Sequence, residues 1–116
     1  MNKQEEFENA AKFGDTETVK FLLKDKSVDP AADDNYAICW AAFNGHAKTV
    51  EILLKDGRAD PTVDNDFPIR WASLNRHIDV VRILVSDKRV ISSINKRKLD
   101  KNKKKERRRR RRRIYD

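Results

Sequence analysis

The sequence is poor in the residues from which catalytic and cofactor sites are usually built. Among 116 residues there are one cysteine (Cys39), two histidines and three glycines. A single cysteine excludes an internal disulfide, which favours a reducing compartment. Three scattered glycines form no glycine-rich phosphate loop, and one cysteine with two histidines is too few for a structural zinc site without carboxylates. We therefore expect no catalytic residues, no cofactor and no metal site.

Long apolar segments are also missing. No run approaches the roughly 18 apolar residues of a membrane-spanning helix. The first residues, Met1 to Glu6, lack the apolar core of a secretory signal and are acidic where a transit peptide is basic. We expect a protein without a membrane span, located in the cytoplasm or the nucleus.

Charge divides the chain into two parts. The net charge is +8, but residues 95–116 hold 14 basic and 3 acidic residues, or +11, which leaves −3 for residues 1–94. We therefore expect a folded domain over residues 1–94 and a Lys/Arg-rich tail over residues 95–116. Because a segment so rich in charge can bury little apolar surface, the tail is predicted to be disordered.

The body is organised by an internal repeat. Its period is the spacing from Ala10 to Ala41 and again from Ala41 to Ala72, and its units cover about residues 4–34, 35–65 and 66–94. The pairs at this spacing are Ala10-Ala11, Ala41-Ala42 and Ala72-Ser73, and the turns are Phe13-Gly14-Asp15, Asn44-Gly45-His46 and Asn75-Arg76-His77. Three blocks in phase indicate a repeat architecture.

Each unit has the pattern of two short helices followed by an extended link. The first helix carries small residues at i, i+3, i+4 spacing and the second carries larger apolar residues. Asn35 and Asp66 are predicted to be N-caps of the first helices in units two and three. No unit can bury both apolar faces alone, so we expect the units to stack into an all-α solenoid.

These residues resemble ankyrin repeats. Trp40-Ala41-Ala42 with Asn44-Gly45-His46, and Trp71-Ala72-Ser73 with Asn75-Arg76-His77, are degenerate forms of the family's Ala-Ala and Gly-His motifs. The sequences of these two units are similar to ankyrin arrays encoded by amoebae and their large DNA viruses. The resemblance implies a monomeric three-repeat domain that binds a protein partner and is not an enzyme. Because the period is shorter than is usual in the family, we expect short or irregular fingers between repeats.

Several residues invite a functional interpretation but fit a structural one better. His46 and His77 share one repeat position, a whole repeat apart, and in the family this histidine is a structural hydrogen-bonding residue. Trp40 and Trp71 lie beside the small-residue face and are predicted to be core. Cys39 aligns with charged Glu8 and Arg70, so it is predicted to be a partly exposed, space-filling residue.

Partners of ankyrin domains are bound by finger tips and by the exposed end of the first helix. By this resemblance, and with Phe43 and Leu74 as apolar anchors, we expect a contact surface suited to a basic or amphipathic segment. The alternative is that these residues pack against neighbouring fingers. The predicted contact residues are Asp33, Asp34, Asn35, Phe43, Asn44, Asp64, Asn65, Asp66, Leu74 and Asn75.

The basic tail admits three interpretations. It matches nuclear import signals, it suits nonspecific binding of RNA or DNA phosphates, or it is low-complexity sequence at a truncated gene end. Loose binding to the acidic body is a further option. Its phosphate- or receptor-binding residues would be Lys103, Lys104, Lys105, Arg107, Arg108, Arg109, Arg110, Arg111, Arg112 and Arg113.

The two ends of the array differ. Acidic and polar residues in the first helix predict a polar N-terminal cap, so we expect the fold to begin where the chain does. After repeat three there is no further Trp-Ala-Ala signature. Two alternatives follow: Ile91, Ile94 and Leu99 form a helix that docks on repeat three, or that face stays poorly covered.

Overall fold

The computed structural model describes the backbone of residues 2–115 and the side chains of residues 2–108. Within that part of the chain there are seven helices and no β-strand. In chain order they are α1 (Lys3–Phe13), α2 (Thr16–Leu23), α3 (Ala32–Phe43), α4 (Ala47–Asp56), α5 (Val63–Leu74), α6 (Ile78–Val85) and α7 (Lys88–Tyr115). The predicted all-α class is confirmed.

The helices form two layers. In the first layer α1 contacts α3 and α3 contacts α5, and in the second layer α2 contacts α4 and α4 contacts α6. Each first-layer helix also contacts the helix that follows it, which gives the repeats α1–α2, α3–α4 and α5–α6. These stacked repeats confirm the predicted solenoid.

The core repeats with the sequence. Buried positions recur once in every period because each repeat buries the same faces against its neighbours. In the first helices these positions are Phe7, Ile38 and Ile69, in the second helices Leu22, Leu53 and Leu84, and after the second helices Val28, Ala59 and Val90. The last of these, Val90, belongs to α7, so the start of this helix continues the apolar pattern of the repeats.

The turn between the two helices of a repeat needs a glycine where the next repeat packs on it. Gly45 has a φ of +79°, and a Cβ there would lie 2.7 Å from Nδ1 of His77. Nε2 of His77 lies 2.9 Å from the carbonyl oxygen of Phe43, which bears out its expected structural role. Arg76 takes the same turn position in repeat three with a φ of +60°. One period after His77 stands Arg108, so no histidine packs on Arg76.

The connections between repeats are the fingers, residues 24–35 and 57–66. Each finger ends in three consecutive left-handed residues, Asp33–Asn35 and Asp64–Asp66, with φ between 53° and 62°. Asp and Asn enter this region more readily than other side chains, and runs of it are rare because each residue costs about 1–2 kcal/mol. The expected short, irregular fingers are confirmed, and the right-handed turns of α3 and α5 begin after the triplets.

Asn35 and Asp66 are not the helix caps that the sequence predicted. The left-handed turns direct both side chains away from their own helices into buried positions. Asn35 Oδ1 accepts a hydrogen bond of 2.7 Å from the backbone N–H of Asp60, in the next finger. Asp66 Oδ2 accepts one of 2.7 Å from the hydroxyl of Ser93, in α7.

The first part of α7 docks on repeat three, as one of the two alternatives expected, but only Ile94 of the three residues named for it takes part. Val90 is fully buried and Ile94 packs against the core, whereas Ile91 and Leu99 are exposed. Arg97 Nε lies 2.9 Å from Asp66 Oδ2, so contacts with repeat three extend past residue 94, the expected end of the domain. The sequence-based boundary therefore falls inside a continuous helix.

The tail is also helical in the structure, where the sequence predicted disorder. The backbone of α7 continues to Tyr115, and the side chains of residues 98–108 are exposed. Lys and Arg are good helix formers, so a docked first turn can propagate through them without tertiary contacts. The side chains of Arg109, Arg110, Arg111, Arg112 and Arg113 lie outside the described residues.

We expect Gly45→Ala to destabilise the protein more than Gly57→Ala. Both glycines have positive φ, which costs an alanine about 1–2 kcal/mol. A Cβ at position 57 meets no atom within 4 Å, whereas one at position 45 displaces His77 and adds about 1 kcal/mol for its hydrogen bond. Urea denaturation followed by circular dichroism measures both free energies of unfolding, and equal losses would contradict the packing argument.

Candidate functional site

The predicted contact residues separate into exposed and buried groups. Leu74, at the end of α5, is 68% exposed, and Phe43 is partly exposed. The finger residues Asp33, Asp34, Asp64 and Asn65 are also exposed. Asn35 and Asp66 are buried, so both are removed from the expected contact surface.

Two further predicted contact residues also join the repeats together. Nδ2 of Asn44 donates to the carbonyl oxygen of Lys12 at 3.0 Å, and Nδ2 of Asn75 donates to that of Phe43 at 3.1 Å. Both asparagines are exposed. Their side-chain amides therefore hold one first-layer helix to the end of the preceding one, at the margin of the surface that Phe43 and Leu74 share.

The main feature of that surface is a row of aromatic rings that crosses from α3 to α5. The rings of Trp40 and Phe43 are 5.0 Å apart, and those of Phe43 and Trp71 are 5.5 Å apart. The ring of Phe67 lies 6.4 Å from that of Trp40 and 5.8 Å from that of Trp71. Tyr36 completes this aromatic row, 6.0 Å from Trp40.

The tryptophans are not core residues, contrary to the sequence-based expectation. Trp40 and Trp71 are both partly exposed, as are the other rings of the aromatic row. Small residues beside them, Ala41, Ala42 and Ala72, are fully buried and mediate the close approach of the helices. The wide indole rings therefore lie on the helix surface and contact the rings of Phe43 and Phe67 instead of entering the core.

An open cleft of about 590 Å³ lies beside the aromatic row, between the two left-handed finger ends. Its lining combines aromatic rings with acidic side chains. The lining residues of this acidic–aromatic cleft are Asp33, Asp34, Tyr36, Cys39, Trp40, Val63, Asp64 and Phe67.

Cys39 lies on the lining of the cleft and is buried, not partly exposed as predicted. Burial raises the pKa of its thiol to about 12, with further contributions from the carboxylates of Asp64, Asp60 and Asp34. A thiol with so high a pKa stays protonated and is a poor nucleophile. The space-filling role expected for this residue agrees with that chemistry.

Sequence reasoning missed a pair of arginines that clamp neighbouring repeats. Arg58 Nη2 donates to the carbonyl oxygen of Leu23 at 3.1 Å, and Arg89 Nη1 donates to that of Ala59 at 2.9 Å. Each arginine is held by an aspartate two positions before it, and this contact lowers the pKa of the Asp87 carboxyl. The recurrence of Asp-x-Arg after one repeat period was a signal available in the sequence.

Comparison with known proteins agrees with this geometry. The family described as "Ankyrin repeats (3 copies)" matches residues 7–98. The chain belongs to the ankyrin repeat family. The match extends into the docked part of α7, which includes Ser93 and Arg97, the two residues that contact Asp66. No curated protein and no solved structure matches the chain.

Ankyrin repeats as a family mediate protein–protein interaction and are typically not enzymes. Within residues 2–108 the structure holds no group of three His, Cys, Asp or Glu side chains arranged to bind a metal ion. None of the helices in the described part of the chain is both long enough and apolar enough to cross a membrane.

One carboxyl in the first ankyrin repeat is set apart by its pKa. Burial, followed by a hydrogen bond with Asp33, raises the pKa of Glu8 to about 7. The amide of Gln4 also donates to Glu8, at 3.2 Å. Glu8 therefore connects α1 to the finger tip that borders the cleft, and it is best accommodated there in its protonated form.

We expect stability to rise as the pH falls from about 7.5 to 5, because of Glu8. Its folded pKa lies above the unfolded value of 4.5, so the folded state binds the proton first, and the stabilisation is complete below the unfolded pKa. Urea midpoints measured across this range give the slope. Glu8→Gln removes the titrating group and flattens the slope, whereas Glu6→Gln, at an exposed glutamate of the same helix, keeps it. An unchanged slope in Glu8→Gln would refute the assignment.

Proposed function

We propose that the chain is a non-catalytic protein-interaction module whose partner binds the aromatic row and the adjacent finger tips. The observation that carries this proposal is the row itself, in which Trp40, Phe43 and Trp71 are partly exposed on one layer of helices. Exposed, contiguous aromatic side chains are typical of binding surfaces, where Trp and Tyr contribute much of the binding energy.

The ends of the aromatic row support the same proposal. Leu74 extends it on α5 and is 68% exposed, while Phe13 lies at the matching end of α1 and is 70% exposed. A layer of helices held by hydrogen bonds between repeats presents these side chains on a fixed scaffold. Such preorganisation lowers the entropy lost on binding.

The charge around the row indicates the kind of partner. Asp33, Asp34 and Asp64 are exposed at the finger tips next to it. Carboxylates around apolar anchors suit a basic or amphipathic segment, because complementary charge speeds association and selects the partner. We expect the ankyrin domain to bind this segment as a monomer.

We expect Phe43→Ala combined with Leu74→Ala to lower the affinity for the partner by about tenfold or more, since each substitution removes an apolar anchor. The partner is first recovered from the native host by affinity purification, and its affinity is then measured by titration. Phe21→Ala is the matched control, because Phe21 is 72% exposed but lies on α2, in the other layer. Circular dichroism tests whether the double variant is folded. Loss of the fold would show that the two residues are structural, and equal weakening by the control would also contradict the proposal.

A second candidate function rests on the exposed Lys and Arg side chains of α7. Between residues 98 and 108 every side chain is exposed, and most carry positive charge. Phosphates of RNA or DNA would be bound by such a helix without sequence preference, through release of counterions. The same charge suits an import receptor, which would place the protein in the nucleus.

We expect deletion of residues 101–116 to abolish the salt-dependent part of nucleic-acid binding. The deletion removes 11 Lys and Arg residues but keeps Arg97, which holds α7 to Asp66. Binding of a short RNA duplex and a DNA duplex is measured over a salt series, and the slope of log K against log salt should approach zero. The control is the protein partner, whose affinity should not change. Retention of nucleic acid by the deleted chain would overturn the role of the tail.

A further inference from the structure

The acidic–aromatic cleft has the chemistry of a receptor for one organic cation. We propose that it binds the guanidinium of an arginine side chain in the partner segment. This inference rests on the proposed function and makes it more specific, because it assigns one side chain of the partner to one place on the ankyrin domain.

Three aromatic rings from two repeats line the cleft. Tyr36 and Trp40 come from α3 and Phe67 from α5, and the ring of Trp40 lies 6.0 Å from Tyr36 and 6.4 Å from Phe67. A cation is attracted to an aromatic face when it lies within about 6 Å of the ring centre, and the attraction is greatest for Trp. The rings of Tyr36 and Phe67 are tilted by 47° and 63° to that of Trp40, so one guanidinium that stacks on Trp40 would also lie next to them.

The Trp40 ring already has a cation beside it in the structure. Nζ of Lys12 lies 5.6 Å from the centre of the indole ring. Lys12 is not among the residues that line the cleft, so this amine does not fill it. The contact shows that the ring is accessible to a positive charge within the domain itself.

The rim of the cleft carries the opposite charge to the proposed ligand. Asp34 and Asp64 are exposed on two different fingers, and Asp33, also exposed, faces Glu8. The effect of these carboxylates reaches the lining, since Asp64 and Asp34 both add to the raised pKa of Cys39. A bound cation would relieve this negative potential.

The aromatic lining is not a requirement of the ankyrin fold. One repeat period before Tyr36 and Trp40, α1 carries Glu5 and Asn9, yet α1 packs on α3 in the same way that α3 packs on α5. Stacking of the first-layer helices thus proceeds without rings at these positions. In repeats two and three the rings contact one another and remain partly exposed beside the cleft, where a ligand can reach them.

Arginine fits the cleft better than lysine does. A planar guanidinium stacks on an aromatic face and at the same time donates two parallel hydrogen bonds to a carboxylate. An ammonium is a compact, strongly hydrated charge that cannot do both so well. With a volume of about 590 Å³, the open cleft has room for the whole side chain.

The test titrates the full-length, ¹⁵N-labelled protein with a capped Gly-Ser-Arg-Ser-Gly peptide. The chain has two tryptophans, so the indole N–H signals of Trp40 and Trp71 report on the cleft and on the rest of the aromatic row. We expect the Trp40 signal to move with the peptide concentration and the Trp71 signal to stay nearly fixed. Peptides with citrulline, lysine or trimethyllysine in place of arginine should bind about tenfold more weakly.

Variants separate the two parts of the site. Trp40→Leu removes the ring, and Asp34→Asn with Asp64→Asn removes the charge while asparagine keeps the left-handed turns. Each of these two variants should bind the arginine peptide about tenfold more weakly. Trp71→Leu is the matched control and should bind it normally, because Trp71 belongs to the aromatic row but does not line the cleft.

Several results would overturn the inference. Equal binding of the citrulline peptide would show that the positive charge is not recognised. Equal binding of the lysine or trimethyllysine peptide would show that the cleft does not prefer a guanidinium. A Trp40 signal that moves with protein concentration alone would mean that the arginine-rich tail of a second copy fills the cleft. None of these results touches the proposed function, which is tested separately at Phe43 and Leu74.

Discussion

The structure depends on one polar side chain per repeat, which ties each first-layer helix to the segment that follows the second helix of its own repeat. At three positions one repeat period apart, Gln4 accepts from the N–H of Asp29 at 2.8 Å, Asn35 accepts from that of Asp60 at 2.7 Å, and Asp66 accepts from Ser93 at 2.7 Å. The apolar faces supply most of the stabilisation, but burial of apolar surface is non-directional, whereas a hydrogen bond joins one defined atom to another. Asn35 and Asp66 are buried, and each bond joins one defined position of the first-layer helix to one defined position of the following segment.

The change of residue at this position explains how the array is closed. In repeats one and two an amide is sufficient, because its partner is a backbone N–H of the next finger. After repeat three there is a helix in place of a finger, and Asp66 provides a carboxylate that binds a hydroxyl and the guanidinium of Arg97. The ion pair and the hydrogen bond both involve Oδ2 of Asp66, which is fully buried. The same pairing orients α7, whose exposed basic residues therefore leave the body in a defined direction.

The sequence allowed prediction of the features that recur in every repeat. It was less informative about features that occur at a single place in the chain. Helices, layers and the Gly–His turns recur with the repeat period, so they could be read from spacing alone. The docking of α7 was also within reach, since Val90 continues the series of Val28 and Ala59, but helical periodicity drew attention to Ile91 and Leu99 instead. The left-handed triplets could not be foreseen, because Asp and Asn suit caps, turns and left-handed residues equally. Their conformation decides that Asn35 and Asp66 point inward.

The exposed aromatic row follows from the same division between small and large side chains. Beside the fully buried Ala41, Ala42 and Ala72, the tryptophans of α3 and α5 lie partly exposed. A residue type that the sequence assigned to the core lies instead on the surface that we propose for partner binding. The fingers then place carboxylates beside the rings, since the backbone turn that shortens each finger is built from Asp and Asn. The finger ends therefore hold both kinds of residue, since Asn35 is buried and structural and Asp34, the residue before it in the chain, is exposed.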